Sequence, residues 1–194
     1  MHGTIVHYRH LATLLTLCLT LAATTALAAE FRVREVRSQL VDGVYRMDAD
    51  LDLELEGEVR DALVNGVPLI LGVEIEVVQQ RPWLWDQTVA SLEQRYQLRH
   101  HALSRRYLVK NLNTGVQTSH THLEDALASV ERIRGLPLLE QPLLVAGDEY
   151  RGRVRVRLHT EALPSPLRPM AYLSRDWRLK SEWVEWPLQP GHAP

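Results

Sequence analysis

No feature limits the possible folds of this chain more than a run of alternating apolar and charged residues between Tyr45 and Glu56. Side chains of a β-strand point alternately to its two faces, so this pattern predicts a strand with one buried and one solvated face. The predicted buried face comprises Tyr45, Met47, Ala49, Leu51, Leu53 and Leu55, and the solvated face carries Asp48, Asp50, Asp52, Glu54 and Glu56. The strand therefore needs an apolar layer packed against it.

Similar alternation predicts further strands along most of the chain. Residues 31–41 form one predicted strand, which an Asp42-Gly43 hairpin turn joins to the first. The remaining predicted strands cover residues 68–78, 89–101, 105–112, 116–119 and 150–159. Short turns between consecutive strands favour antiparallel pairing.

Two segments show helical spacing instead. Residues 58–64 form a predicted helix that ends at Asn65-Gly66. The second predicted helix covers residues 123–134, begins at the capping-box spacing of Thr121 and Glu124, and stops at Gly135. We therefore expect an α+β domain, predominantly antiparallel β, built as a sandwich or strongly twisted sheet with about two short helices.

The N-terminal segment has the pattern of an export signal. Residues 11–29 carry no charge, follow Arg9, and include the small residues of Ala26-Leu27-Ala28. This pattern predicts a signal peptide over residues 1–28, cleaved after Ala28 or Ala29, followed by a single domain over residues 29–194. We expect a periplasmic protein. An uncleaved anchor in the inner membrane, facing the periplasm, is the alternative because the uncharged stretch is just long enough to span a bilayer.

Composition bounds the function further. The chain has 22 Lys and Arg against 24 Asp and Glu, so its formal charge of −2 creates no basic field for nucleic acid. Its single cysteine, Cys18, lies in the predicted signal, which leaves the mature chain without a disulfide. Nucleotide-binding loops, metalloprotease helices and nucleophile elbows are missing from the sequence. We therefore expect neither an enzyme nor a cofactor.

The five tryptophans lie in two short segments and indicate a contact surface. Indole offers a large apolar face together with one N–H donor, which suits a protein partner or the edge of a bilayer. Core packing that pins the C-terminal segment to the sheet is the alternative. The candidate contact residues are Trp83, Trp85, Asp86, Asp176, Trp177, Trp183 and Trp186.

Two other clusters are candidates for ligand binding. Alternating arginines in the last predicted strand form a ladder that suits an anion, unless the acidic face of residues 48–56 neutralises it. His120 and His122 would share a strand face and are weak candidates for a transition metal. The ladder comprises Arg151, Arg153, Arg155 and Arg157.

Four stretches in this order resemble a known family. They are residues 48–56, the turn of residues 65–69 leading into Val73-Glu74-Ile75-Glu76, residues 81–86, and residues 174–177 followed by residues 181–183. The set resembles the family called domain of unknown function 4390, exported and uncharacterised proteins of Gram-negative bacteria. The resemblance implies export and this architecture, and it supplies no catalytic residues.

The function that these observations favour is a non-enzymatic accessory or binding protein of the cell envelope. Its expected partner is another envelope or inner-membrane protein, and nucleic acid is not expected. Membrane association would require an uncleaved signal or exposed tryptophans. The alternative is a periplasmic protein that binds a small ligand, an anion or a metal.

Overall fold

The structure is a computed structural model that describes residues 30–83 and 85–188. The predicted signal peptide and its cleavage sites lie outside the described residues. Within the described part no helix is long and apolar enough to cross a membrane.

Two antiparallel sheets form the body of the protein. The described residues contain nine strands: β1 (Arg32–Val41), β2 (Val44–Asp52), β3 (Leu69–Gln79), β4 (Gln87–His101), β5 (Arg106–Asn111), β6 (Gln117–His120), β7 (Arg132–Glu140), β8 (Tyr150–Leu158) and β9 (Val184–Leu188). They also contain three α-helices: α1 (Gly57–Val64), α2 (Leu123–Glu131) and α3 (Arg168–Leu173). The predicted α+β class with predominantly antiparallel strands is confirmed, with three helices instead of about two.

The strands divide into a small and a large sheet. The small sheet has the order β1-β2-β7, and the large sheet has the order β6-β5-β4-β3-β8-β9. Apolar side chains of both sheets belong to one buried cluster, as the strand patterns predict. At one edge the sheets are also joined by a hydrogen bond, because Trp186 Nε1 donates to Ser38 Oγ at 2.9 Å.

Strand β2 shows how the pattern becomes structure. Its predicted apolar face is buried from Tyr45 to Leu51, and Leu53 and Leu55 continue that burial beyond the strand. The predicted hairpin turn precedes it, with positive φ angles of 50° at Asp42 and 74° at Gly43. Two positive φ angles characterise the two-residue turn that matches the twist of paired strands.

The predicted helix over residues 123–134 is wrong at its C-terminal end. Helix α2 stops at Glu131, and β7 begins at the next residue and pairs with β2, with Ile133 opposite Ala49. Spacing alone placed Ile133 on the helix face, but burial against β2 holds it in a strand. The capping box does not form either, because the N-cap residue is His122 and it makes no side-chain cap hydrogen bond.

The strand directions give the sandwich two different ends. At the loop end lie the Asp42-Gly43 turn, the β3–β4 loop of residues 80–86, and the β7–β8 loop of residues 141–149. These three loops touch, because Gln141 N–H donates to the carbonyl of Gly43 at 2.8 Å and Gln80 N–H donates to that of Glu149 at 2.9 Å. The opposite, helical end holds the start of β1 together with α1 and α3.

Candidate contact surface

The β3–β4 loop carries two fully solvated tryptophans. Trp83 is 100% exposed and Trp85 is 91% exposed, and the adjacent Asp86 is also exposed. Trp83 has a φ of 76°, which is unusual for a residue with a side chain. We call Trp83 and Trp85 the Trp tip. Exposed large apolar side chains close together in the sequence are typical of interaction sites.

A second loop borders the Trp tip. An open cleft of about 500 Å³ separates the two loops, with Arg81 and Asp86 on one side and Asp148 and Glu149 on the other. Gln79 Nε2 donates to Asp148 Oδ2 at 2.6 Å, which ties the second loop to the end of β3. The second loop also exposes the apolar side chains of Leu143 and Val145. Both loops thus contribute apolar surface at the same end of the sandwich.

The C-terminal tryptophans do not join this surface. Trp177 and Trp186 are only 5% and 6% exposed. Trp177 Nε1 donates to Glu58 Oε2 at 3.1 Å, and Asp176 Oδ2 accepts from the backbone N–H of Glu58 at 3.3 Å. The expectation of one contact surface is therefore corrected, because Trp177 and Trp186 pack the interior and Asp176 holds the first turn of α1.

Trp183 occupies a third kind of environment. Its ring is half-buried and lies beneath two guanidinium groups, with the Cζ of Arg155 at 4.4 Å and that of Arg153 at 5.0 Å from the ring centroid. The negative face of an indole attracts a cation in this geometry. Trp183 therefore belongs to the arginine ladder of β8 and not to the Trp tip.

The arginine ladder is neutralised, but not by the strand that was expected. Strand β2 lies in the other sheet, and its carboxylates pair elsewhere, for example Asp52 with Arg34 at 2.9 Å. The ladder instead faces carboxylates of its neighbours β3 and β9. The ion pairs are Arg151 with Glu185 at 3.3 Å, Arg153 with Glu76, and both Arg155 and Arg157 with Glu74 at 2.5 Å.

Glu74 lies at the centre of this lattice of charges. Burial raises the pKa of its carboxyl, but the hydrogen bonds and positive charges of Arg155 and Arg157 outweigh burial and lower the pKa below its ordinary value. Glu74 is therefore ionised at neutral pH and compensates two guanidinium groups. The ladder offers no uncompensated row of positive charge to an anion.

The histidines proposed as metal ligands are not assembled into a site. His120 Nε2 lies 2.9 Å from Thr118 Oγ1, in the edge strand β6, and His122 caps α2. The described residues contain no group of three or more His, Cys, Asp or Glu side chains that could hold a metal ion.

Sequence reasoning missed a buried histidine beside the ladder. His159 is 7% exposed, with Nε2 at 2.6 Å from Glu93 Oε1 and Nδ1 at 2.7 Å from Glu161 Oε1. Both ring nitrogens therefore lie within hydrogen-bond distance of a carboxylate oxygen. The ring fits because a side chain at Gly72 would overlap it. A glycine inside an apolar strand is the one signal that could have indicated a close approach here.

A family model described as "Domain of unknown function (DUF4390)" matches residues 28–187 of the chain. The chain belongs to the DUF4390 family. The resemblance drawn from the four sequence stretches is thereby confirmed. No curated protein and no solved structure matches this DUF4390 chain. Its candidate site therefore rests on its own geometry.

The two kinds of polar cluster in the DUF4390 fold differ in what they can do. His159 and its two carboxylates join β4 to the segment that directly follows β8, and burial keeps the ring from solvent. Burial raises the pKa of Glu161, but bonds from its own backbone and from His159, with the charge of Arg157, lower it overall. These groups stabilise the outer face of the large sheet, whereas the Trp tip exposes apolar side chains to solvent.

Proposed function

We propose that this DUF4390 protein is an exported accessory protein of the cell envelope, and that it binds another envelope protein through the Trp tip without catalysing a reaction. The observation that carries the proposal is the full exposure of two neighbouring indoles at a hairpin tip. Burying a large apolar side chain contributes roughly 1.5–3 kcal/mol. Tryptophan is among the residues enriched at the few positions that dominate binding energy in protein interfaces.

The proposed location is the periplasm, after removal of residues 1–28 or 1–29. The uncharged segment of residues 11–29 supports this location, and an inner-membrane anchor facing the periplasm is the alternative. Cell fractionation with N-terminal sequencing tests it. We expect a periplasmic chain that begins at Ala29 or Glu30, and an intact chain in the cytosol would contradict export.

Binding of a small ligand, an anion or a metal has less support. Each guanidinium of the arginine ladder already has a carboxylate partner, and His120 bonds to a threonine hydroxyl. Occupying either cluster with a ligand would require breaking those contacts. We therefore place the contact surface at the Trp tip.

Photocrosslinking in living cells tests the proposal. A photoreactive benzophenone amino acid at position 85 keeps an aromatic face in place of the Trp85 indole, and because Trp85 is 91% exposed the chain should still fold. The matched control carries the same group at position 103, because Leu103 is 95% exposed but lies in the β4–β5 turn at the opposite end. We expect a discrete protein adduct from position 85 and none from position 103. Identical adducts from both positions, or none from either, would contradict the proposal.

A second variant separates binding from folding. Replacing both Trp83 and Trp85 with Ala should leave the unfolding transition in place, since neither side chain is buried. The same replacement of Trp83 in the position-85 probe should weaken the adduct. An unchanged adduct would show that the indoles do not form the contact.

A further inference from the structure

The loop end carries an excess of negative charge around the Trp tip. Among the described residues, the Asp42-Gly43 turn and residues 80–86 and 140–149 hold five carboxylates and a single guanidinium, that of Arg81. The net charge of these segments, which include Glu140 at the end of β7, is therefore 1 − 5 = −4. The carboxylates are Asp42, Asp86, Glu140, Asp148 and Glu149.

These five carboxylates differ from those on the sheets. In the part of the chain that the structure describes, none of them makes an ion pair, and all but the half-buried Asp148 are exposed. On β2 and β3, by contrast, each carboxylate within the strand has an arginine partner: Asp48, Asp50, Asp52, Glu74 and Glu76. Arginines thus compensate the carboxylates of β2 and β3, whereas those of the loop end have no cationic partner among the described residues, although Asp148 accepts a hydrogen bond from Gln79.

We infer that the partner of the Trp tip is a protein segment rich in Arg or Lys, an inference that rests on the proposed function. A guanidinium or ammonium group stacks favourably on the face of an indole. Carboxylates beside the indole accept charge-assisted hydrogen bonds from the same cations. The loop end therefore offers both the apolar and the anionic component of one recognition surface for a cationic chain.

The same charge argues against a bilayer as the occupant. Exposed tryptophans alone would suit a membrane interface. Unpaired carboxylates around them repel anionic headgroups, which attract basic surfaces instead. The electrostatic complement of this end is a basic protein surface, which also accelerates association in a salt-dependent way.

Charge-neutral variants test the inference in cells. In the position-85 photoprobe background, a tip triple combines Asp86→Asn, Glu140→Gln and Glu149→Gln. The control triple combines Glu54→Gln, Glu56→Gln and Asp61→Asn, three exposed carboxylates at the helical end without ion pairs. Both triples change the net charge equally. We expect the tip triple to reduce the adduct on the order of tenfold and the control triple to leave it unchanged.

The outcomes separate the two proposals. An adduct that persists fully in the tip triple overturns the cationic partner while binding through the Trp tip stands. Equal loss in both triples also overturns it, because overall charge and not the loop end would then govern binding. If the chain with the photoreactive residue at position 85 and all its carboxylates forms no adduct, the proposed function itself is wrong.

Vesicle binding tests the competing occupant. The purified chain lacking residues 1–29 is mixed with vesicles of phosphatidylglycerol and phosphatidylethanolamine and sedimented. We expect the protein to remain in the supernatant. Sedimentation that is abolished by the double change Trp83→Ala and Trp85→Ala would identify the bilayer as the occupant and overturn the inference.

Discussion

The two tryptophan-rich segments of this chain look alike in sequence and have opposite surroundings. The Trp tip lies beyond the last paired residues of a hairpin, Gln79 and Gln87, and its two side chains are 100% and 91% exposed. Trp186 lies inside a paired strand opposite Gly152, which leaves room for its indole against the core. Clustered tryptophans in a sequence can therefore pack the core or form a contact surface. The strand pairing of the flanking residues decides between these two roles.

The comparison has an energetic side. The indoles of Trp177 and Trp186 are buried, and each donates its N–H to a hydrogen-bond acceptor. Those of the Trp tip contribute no such burial. Stability can therefore explain why the C-terminal segment contains tryptophan, but it does not explain the Trp tip. Four measurements would break or sharpen this contrast.

The largest expected difference is in global stability. Trp186→Ala should lower the free energy of unfolding by about 3–5 kcal/mol, because it leaves a cavity between the sheets and removes the hydrogen bond to Ser38. Trp85→Ala should change it by less than about 0.5 kcal/mol. Urea unfolding monitored by circular dichroism measures both. Similar losses for the two variants would remove the distinction between the segments.

Gly152 offers a more local test of the packing around Trp186. A methyl group at this position would overlap the indole, so Gly152→Ala should cost about 1–3 kcal/mol. In a Trp186→Ala background the same change should cost much less, since the space is then vacant. Additive losses in the double variant would show that the two residues do not share this space.

The charge lattice beneath Trp183 predicts a pH dependence that the Trp tip lacks. Glu74 has a folded-state pKa below its ordinary value of 4.5. Its stabilisation is therefore present above that value and is lost as pH falls through the lower folded pKa. Glu74→Gln should lower stability at neutral pH by roughly 1–2 kcal/mol and flatten the acid side of the stability profile.

The matched control for Glu74→Gln is Glu149→Gln at the loop end. Glu149 makes no ion pair within the described chain, so this variant should retain the acid side of the wild-type profile. Denaturant unfolding between about pH 3 and pH 7, the range in which carboxyl groups titrate, measures the stability of both variants. Parallel profiles for Glu74→Gln and the wild type would show that the lattice contributes nothing to acid stability.

Trp183 has an environment intermediate between those of Trp186 and Trp85, and it should give the smallest loss of stability among these four measurements. Trp183→Leu keeps apolar area and removes the ring face beneath Arg153 and Arg155, so it should cost roughly 0.5–1 kcal/mol. The loss should become smaller when Arg155 is replaced by Met in the same chain, since only Arg153 then remains over the ring, and a double-mutant cycle measures the difference. A loss as large as that of Trp186→Ala would place Trp183 in the core.

The sequence predicted correctly those strands and turns whose structure depends on neighbouring residues alone. The alternation of residues 45–56 and the Asp42-Gly43 turn specify a strand and a hairpin without reference to the rest of the chain. Strand β7 was missed because Pro137 and Gly135 weaken its strand pattern and Ile133 fits the preceding helix. Its position depends on pairing with β2, which lies far earlier in the sequence. The side chain of Arg46, for example, donates to the carbonyl of Gly135, 89 residues later.

The candidate site shows the same limit. Exposure of the arginine ladder follows from alternation, but its carboxylate partners depend on which strands are neighbours in the sheet. The triad of Glu93, His159 and Glu161 assembles from β4 and the segment after β8, which are far apart in the sequence, and only Gly72 indicates it. The sequence placed the Trp tip and the buried tryptophans in one contact surface, because composition does not show which side chains the two sheets bury.

The direction of β1 has a consequence for geometry on a larger scale. Its ten residues run from the helical end to the loop end and extend roughly 33 Å at about 3.3 Å each. Residue 30 and the loop end are thus separated by the length of β1, about 3 nm. A tethered form of the chain would offer its indoles only at that height above the attachment point, whereas a released form would offer them in every orientation.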